Sequence, residues 1–146
     1  MRARAGVSKG ATLLHRNILS NVAQNILWQE TAFVKRPKPE RMVFVCPLPL
    51  YHIYALTVNI LFAILSGSEI IQHIRFDPKD ALNDIETKKI TVFCGVPTMF
   101  TALIHHPDTP NRSLRSLKYC GSGGAPLPVE VAEQFNAITG VTPSEG

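Results

Sequence analysis

"LKYCGSGGAPLP", residues 117–128, joins a short apolar run to three glycines, a serine and two prolines, and a helical stretch from Val129 follows directly. A strand that breaks into glycines before a helix is a place where backbone must turn sharply or be approached closely. The same strand-then-helix grammar recurs upstream. "RMVFVC" (41–46) reads as a strand, and the apolar stretch Tyr51 to Leu65, closed by Gly67, reads as a helix. "SEIIQHI" (68–74) is a second strand, and a helix capped by Asp77 with Pro78 at its first position runs to about Lys88. "ITVFCGV" (90–96) is a third strand, and Pro97 opens a helix reaching about His105. After the polar loop "HHPDTPNRS" (105–113), "LKYC" (117–120) is the fourth strand and Val129 to Ile138 the last helix. Asn17 to Phe33, with Ile18, Val22, Ile26 and Phe33 at helical spacing, precedes them all and ends at "KRPKPE" (35–40). Strands separated by helices imply an α/β fold with a mainly parallel sheet and helices on its faces. In such a sheet the turn after residue 120 lies at a strand's carboxyl end, where ligands bind.

Composition is that of one ordinary globular domain: 146 residues, 45% hydrophobic and 18% charged. The formal charge of +4 comes from scattered basic residues with no aromatic-laced stripe, which argues against nucleic acid as a partner. Cys46, Cys94 and Cys120 are odd in number, far apart and in no C-x-x-C pair. They indicate neither a disulfide framework nor a zinc site, and they suit a reducing cytoplasm. The N-terminus, with Arg2, Arg4, Lys9 and Arg16 and no acid before Glu30, also reads as an organelle transit peptide. "IYALTVNILFAIL" (53–65) is shorter than the roughly 20 residues of a membrane span and is read as a buried helix. A nucleophile elbow at Ser122 would need glycine at 120, where the chain has cysteine, and no histidine follows His106. The adjacent His105 and His106 near Asp108 do not face one point, so no metal ligands are assigned.

"GVSKGATLLHRN" (6–17) sets a lysine between glycines ahead of a helix, without Walker A spacing. Together with "PLPLYHIYALT" (47–57), "GVPTMF" (95–100) and "GSGGAP" (121–126), in that order, it resembles the acyl-adenylate-forming family, and within it the long-chain fatty-acid–CoA ligases. The resemblance implies that Gly6, Lys9 and Gly10 are a phosphate-loop remnant, and that Gly121, Ser122, Gly123, Gly124, Ala125 and Pro126 are an adenine loop. It also implies that His52 is a gating residue beside the adenylate, and that His52, Gly95, Val96, Pro97 and Met99 line the acyl site. ATP or AMP, Mg²⁺ and CoA are the implied cofactors and substrates, with a fatty acid as acyl donor. Association with a membrane surface and self-association through exposed apolar area stay open as further partnerships.

The sequence departs from the family pattern at both ends. Met1 to Ala5 lacks the hydroxyls and first glycine of T-[ST]-G-T, and "SEG" (144–146) stops short of Y-G-x-T-E, whose Thr and Glu serve the phosphates and Mg²⁺ in the family. The expectation is a partial AMP-binding domain over residues 1–146, an internal piece of the large N-terminal domain. The C-terminal domain would be absent, the catalytic set incomplete and the isolated chain inactive. A noncatalytic binding module and the product of a disrupted ligase gene are the alternatives.

Overall fold

The structure is a computed structural model and describes residues 10–33 and 39–146, apart from the side chains of 31–33. Five parallel strands form one sheet: β1 (Val43–Cys46), β2 (Glu69–Gln72), β3 (Val92–Gly95), β4 (Tyr119–Ser122) and β5 (Ser144–Glu145), in the order β2-β1-β3-β4-β5. Helix α1 (His15–Phe33) precedes the sheet. Between β1 and β2 lie a π-helix (Ala55–Leu61) and the α-helical turn α2 (Phe62–Leu65) into which it runs. α3 (Pro78–Thr87), α4 (Pro97–Ile104) and α5 (Val129–Thr139) make the remaining crossovers. A single 3₁₀ turn, Thr109–Asn111, interrupts the loop after α4.

All four residues of β1, of β3 and of β4 are buried, as the central strands of a parallel sheet covered on both faces must be. Their side chains alternate between two cores. Val43, Val45, Phe93 and Cys120 pack under α3, α4 and α5, where Phe93, Phe100 and Phe135 make successive edge-to-face contacts with ring centroids 5.2 and 5.0 Å apart. Phe44, Val92, Cys94 and Tyr119 face the other way, onto Val58 of the π-helix and Phe62 and Ala63 of α2. The chain steps outward from β1 to β2 and then returns past β1 to β3. Right-handed crossovers therefore put the first helix on one face and the next three on the other. The reversal leaves a crevice at the carboxyl ends of β1 and β3, the place where an open α/β sheet takes a ligand.

Local chemistry fixes the ends of these elements. Asp77 Oδ1 accepts from the backbone N–H of Lys79 at 2.9 Å and of Asp80 at 3.2 Å, capping α3 as the sequence implies. Three expectations are corrected. β4 continues through Gly121 and Ser122, so the turn begins two residues later than the apolar pattern indicates. The Tyr51–Leu65 stretch is not one α-helix: Ala55–Leu61 is π-helical and runs into the α-helical Phe62–Leu65. β5 was not foreseen at all. Among the described residues no helix is long and apolar enough to cross a membrane.

Candidate functional site

Three loops converge at the carboxyl edge of the sheet: Pro47 to Tyr54 after β1, Val96 after β3, and Gly123 to Pro128 after β4. The glycine-rich turn is tied to its neighbours by backbone bonds. Gly123 N–H donates to the Gly95 carbonyl at 3.1 Å, and Gly146 N–H to the Ser122 carbonyl at 3.1 Å. From the far side, Glu145 Oε1 accepts from Leu127 N–H at 2.6 Å and holds the end of the turn against β5. The exposed tip is Gly124, Ala125 and Pro126. Gly124 has φ +81°, a conformation that a side chain would strain, and Val96 lies beneath it. Above the tip is an open cavity of about 470 Å³, lined by Ser122, Gly124, Ala125, Pro126, Glu145 and Gly146. Ser122 is buried and its hydroxyl has no hydrogen-bond partner among the described residues. It has no base beside it, as a serine nucleophile would require.

The glycines within the strand and at its exit have a different tenant. A Cβ on Gly121 would stand 3.1 Å from Tyr54 Oη and 3.3 Å from Cys94 Sγ, and one on Gly123 would stand 3.2 Å from Tyr54 Cζ. The close approach that these positions allow is that of the chain's own Tyr54. Its hydroxyl lies beside the Cys94 thiol, and burial pushes the phenol well above its ordinary range, with Cys94 and Tyr119 adding to the effect. Burial likewise pushes Cys94 up to about 12, against the lowering contacts of Gly121 N–H and Tyr54, and it raises Cys46. Neither of these thiols is a thiolate nucleophile at neutral pH.

Tyr54 is also a wall of a second cavity, of about 400 Å³, between α1 and the π-helix. Asn17, Asn21 and Asn25, with Leu13 and Ile18 beside them, form one side, the segment 53–58 forms the other, and Gly146 closes it toward the turn. A smaller cleft of about 340 Å³ continues along α1 past Asn21 and Asn25 to Trp28.

The structure brings some of the sequence-derived residues together. Gly95 and Val96 abut the turn, and Met99 packs under Gly95, with its sulfur 3.1 Å from where a Cβ would be. Val96 and Met99 join Cys46, Leu48 and Ala55 in a small core, and Pro97 opens α4. His52 is exposed and lines neither cavity; its Nδ1 accepts from Tyr54 N–H at 3.2 Å, which puts the proton of a neutral ring on Nε2. His106 Nδ1 is likewise occupied, by Asp108 N–H at 3.1 Å. Gly10 is exposed ahead of α1, while Gly6 and Lys9 lie outside the described residues. Among the described residues no three His, Cys, Asp or Glu side chains gather where they could hold a metal ion. Sequence reasoning missed Tyr54, Glu145 and the asparagine wall. Only the last had a signal, the i, i+4, i+8 spacing of Asn17, Asn21 and Asn25.

Comparison with known proteins gives the arrangement a family. A family model described as AMP-binding enzyme matches residues 5–145. The chain is 37% identical over 141 residues to a long-chain-fatty-acid–CoA ligase of Bacillus subtilis (strain 168), covering 97% of this chain and 24% of that protein. It is 33% identical over 130 residues to a feruloyl-CoA synthase of Amycolatopsis sp, covering 89% of this chain and 25% of that one. The chain thus spans about a quarter of the length of the curated relatives it matches. Among solved structures it resembles MatB from Rhodopseudomonas palustris. The apo form superposes with a TM-score of 0.82 at 27% identity, covering 99% of this chain and 27% of MatB; the ATP-bound form gives 0.76 at 29%, covering 97% and 27%. Sheet order, the motifs at the strand ends and these likenesses agree: the chain belongs to the AMP-binding enzyme family.

Proposed function

We propose that residues 1–146 form part of the AMP-binding domain of an ATP-dependent ligase that joins a long-chain carboxylic acid to CoA by way of acyl-AMP. The adenine of ATP lies over Gly124, Ala125 and Pro126, and the unpartnered Ser122 hydroxyl and the backbone of Gly123 meet its polar atoms. The acid lies in the cavity between α1 and the π-helix, with its carboxylate toward Gly146. The carboxylate oxygen attacks the α-phosphorus, the bond to pyrophosphate breaks, and the CoA thiol then displaces AMP from the acyl carbon. Lys9, with Gly6 and Gly10, meets the phosphates, and His52 gates the acid's entry. Gly95, Val96, Pro97 and Met99 support the floor between the two ligands. Mg²⁺, when bound, would neutralise charge on the phosphates; among the described residues no three His, Cys, Asp or Glu side chains gather to hold it.

One observation carries this reading. The two cavities share Gly146, and the Tyr54 ring lies between the turn and the cleft, so that a nucleotide and an acid in them would be neighbours. Proximity of that kind is the main thing the protein must supply to an acyl–phosphoryl exchange. Similarity to long-chain-fatty-acid–CoA ligases of Bacillus subtilis and Yersinia pestis supports the acid's class. Equilibrium dialysis of the purified chain against AMP and against ribose phosphate tests the nucleotide assignment. AMP should bind measurably more tightly, since only it carries the base. Equal retention of the two would remove the adenine from the turn.

A further inference from the structure

We infer that the acid accepted by the cleft between α1 and the π-helix carries a neutral hydrogen-bond-accepting oxygen along its chain, such as a hydroxyl, ether or oxo group, in preference to a plain hydrocarbon. This rests on the assignment of that cleft to the acid and deepens it.

Asn17, Asn21 and Asn25, spaced by four, stack on one face of α1 and supply one wall of the cavity. Part of their hydrogen-bonding capacity is spent locally. Asn17 Oδ1 accepts from Leu14 N–H at 2.9 Å, and Asn25 Nδ2 donates to Asn21 O at 3.0 Å and to Asn21 Oδ1 at 3.1 Å. The amide N–H groups of Asn17 and Asn21 have no partner among the described residues, and they are the donors the wall presents. The opposite wall offers nothing comparable, since Thr57 already gives its hydroxyl proton to the Ile53 carbonyl at 2.8 Å and Ile53 and Val58 are apolar.

An alkyl chain seated here would contact the apolar wall well but would take the asparagine donors out of water with no acceptor in exchange. Leaving buried donors unpaired is the costly half of a hydrogen bond. A chain with an oxygen on its asparagine side keeps the apolar contact and restores the bonds. Among the described residues no charged side chain lines the cavity, which disfavours a second carboxylate or a phosphate on the chain and leaves a neutral oxygen as the matching group.

The chain's single tryptophan, Trp28, lines the cleft that continues this cavity along α1, so its fluorescence reports occupancy. Titration with stearate and with a mid-chain hydroxystearate, below their micellar concentrations, should give about fivefold tighter binding of the hydroxylated acid. The advantage should vanish in Asn21→Leu, a change at an exposed helical position whose folding is checked by circular dichroism; Asn17→Leu provides the second variant. Stearate binding as tightly as hydroxystearate to the unsubstituted chain would overturn the inference and leave the cleft as an acid site. A preference for hydroxystearate that survives both substitutions would also overturn it. Failure of both acids to bind would remove the acid from the cleft, and the inference with it.

Discussion

Tyr54 explains more of the carboxyl edge than any other residue. Its ring fills the space that the missing side chains of Gly121 and Gly123 leave, its hydroxyl engages Cys94, and it lines the cleft beside α1. The glycines were legible as a site of close approach, but their occupant was not, because Tyr54, after β1, and Gly121, on β4, lie far apart in the chain and meet only once β1 pairs with β3 and β3 with β4. Gly124 differs: it is glycine because its φ of +81° requires it, and sequence reasoning placed the turn there correctly. The consequence can be tested by substitution. Gly121→Ala puts a methyl 3.1 Å from Tyr54 Oη in a packed interior and should cost about 1–3 kcal/mol in urea denaturation. Tyr54→Phe removes the oxygen in the way. The double variant should therefore recover part of the loss, with a coupling of about 0.5 kcal/mol or more. Strict additivity would place the crowding elsewhere.

Among the elements, β2 and α3 are held together by a buried polar contact that hydrophobic periodicity does not announce. His73 follows β2, and its Nε2 lies 2.9 Å from Asp84 Oδ2 on α3, while Lys88 Nζ lies 3.1 Å from Oδ1. Burial by itself would raise the Asp84 carboxyl, but the bonds from His73 and Lys88 outweigh it and hold the carboxyl below its ordinary range. A group whose folded value is depressed stabilises the fold above its unfolded value, about 3.9 for Asp, and that contribution is lost as pH falls through the folded value. The stability gap between the unsubstituted chain and Asp84→Asn should accordingly be present at pH 7 and narrow below about pH 4. A gap independent of pH would mean that the carboxylate's charge has no part in joining the two elements. The elements themselves were readable where one-dimensional pattern decides them. β1 and most of β3 are apolar runs, and α3 carries its cap at Asp77, whereas the apolar pattern shows only the first half of β4. β5 escaped notice because two residues after Pro143 have no pattern, and they are a strand only through their pairing with β4. The π-helix escaped because helical spacing cannot separate one hydrogen-bond register from another.

Across the described residues the sheet is parallel, and the loops of the candidate site meet at its carboxyl edge. The sequence made that edge visible because the motifs at 47–57, 95–100 and 121–126 follow or end strands, whereas the two cavities exist only once α1 lies on the π-helix and β5 lies beside β4. Hence the glycine-rich turn could be read from residues 121–126 and the asparagine wall could not be recognised as a wall. The central claim is that the turn after β4 holds the adenine of AMP, and backbone chemical-shift mapping during an AMP titration tests it most directly. The largest shifts should fall on Gly123, Gly124, Ala125 and Gly146, and Gly124→Val, which both strains the turn and fills the cavity above it, should abolish them while leaving the core resonances in place. Shifts centred on other residues, or unaltered by Gly124→Val, would contradict the assignment.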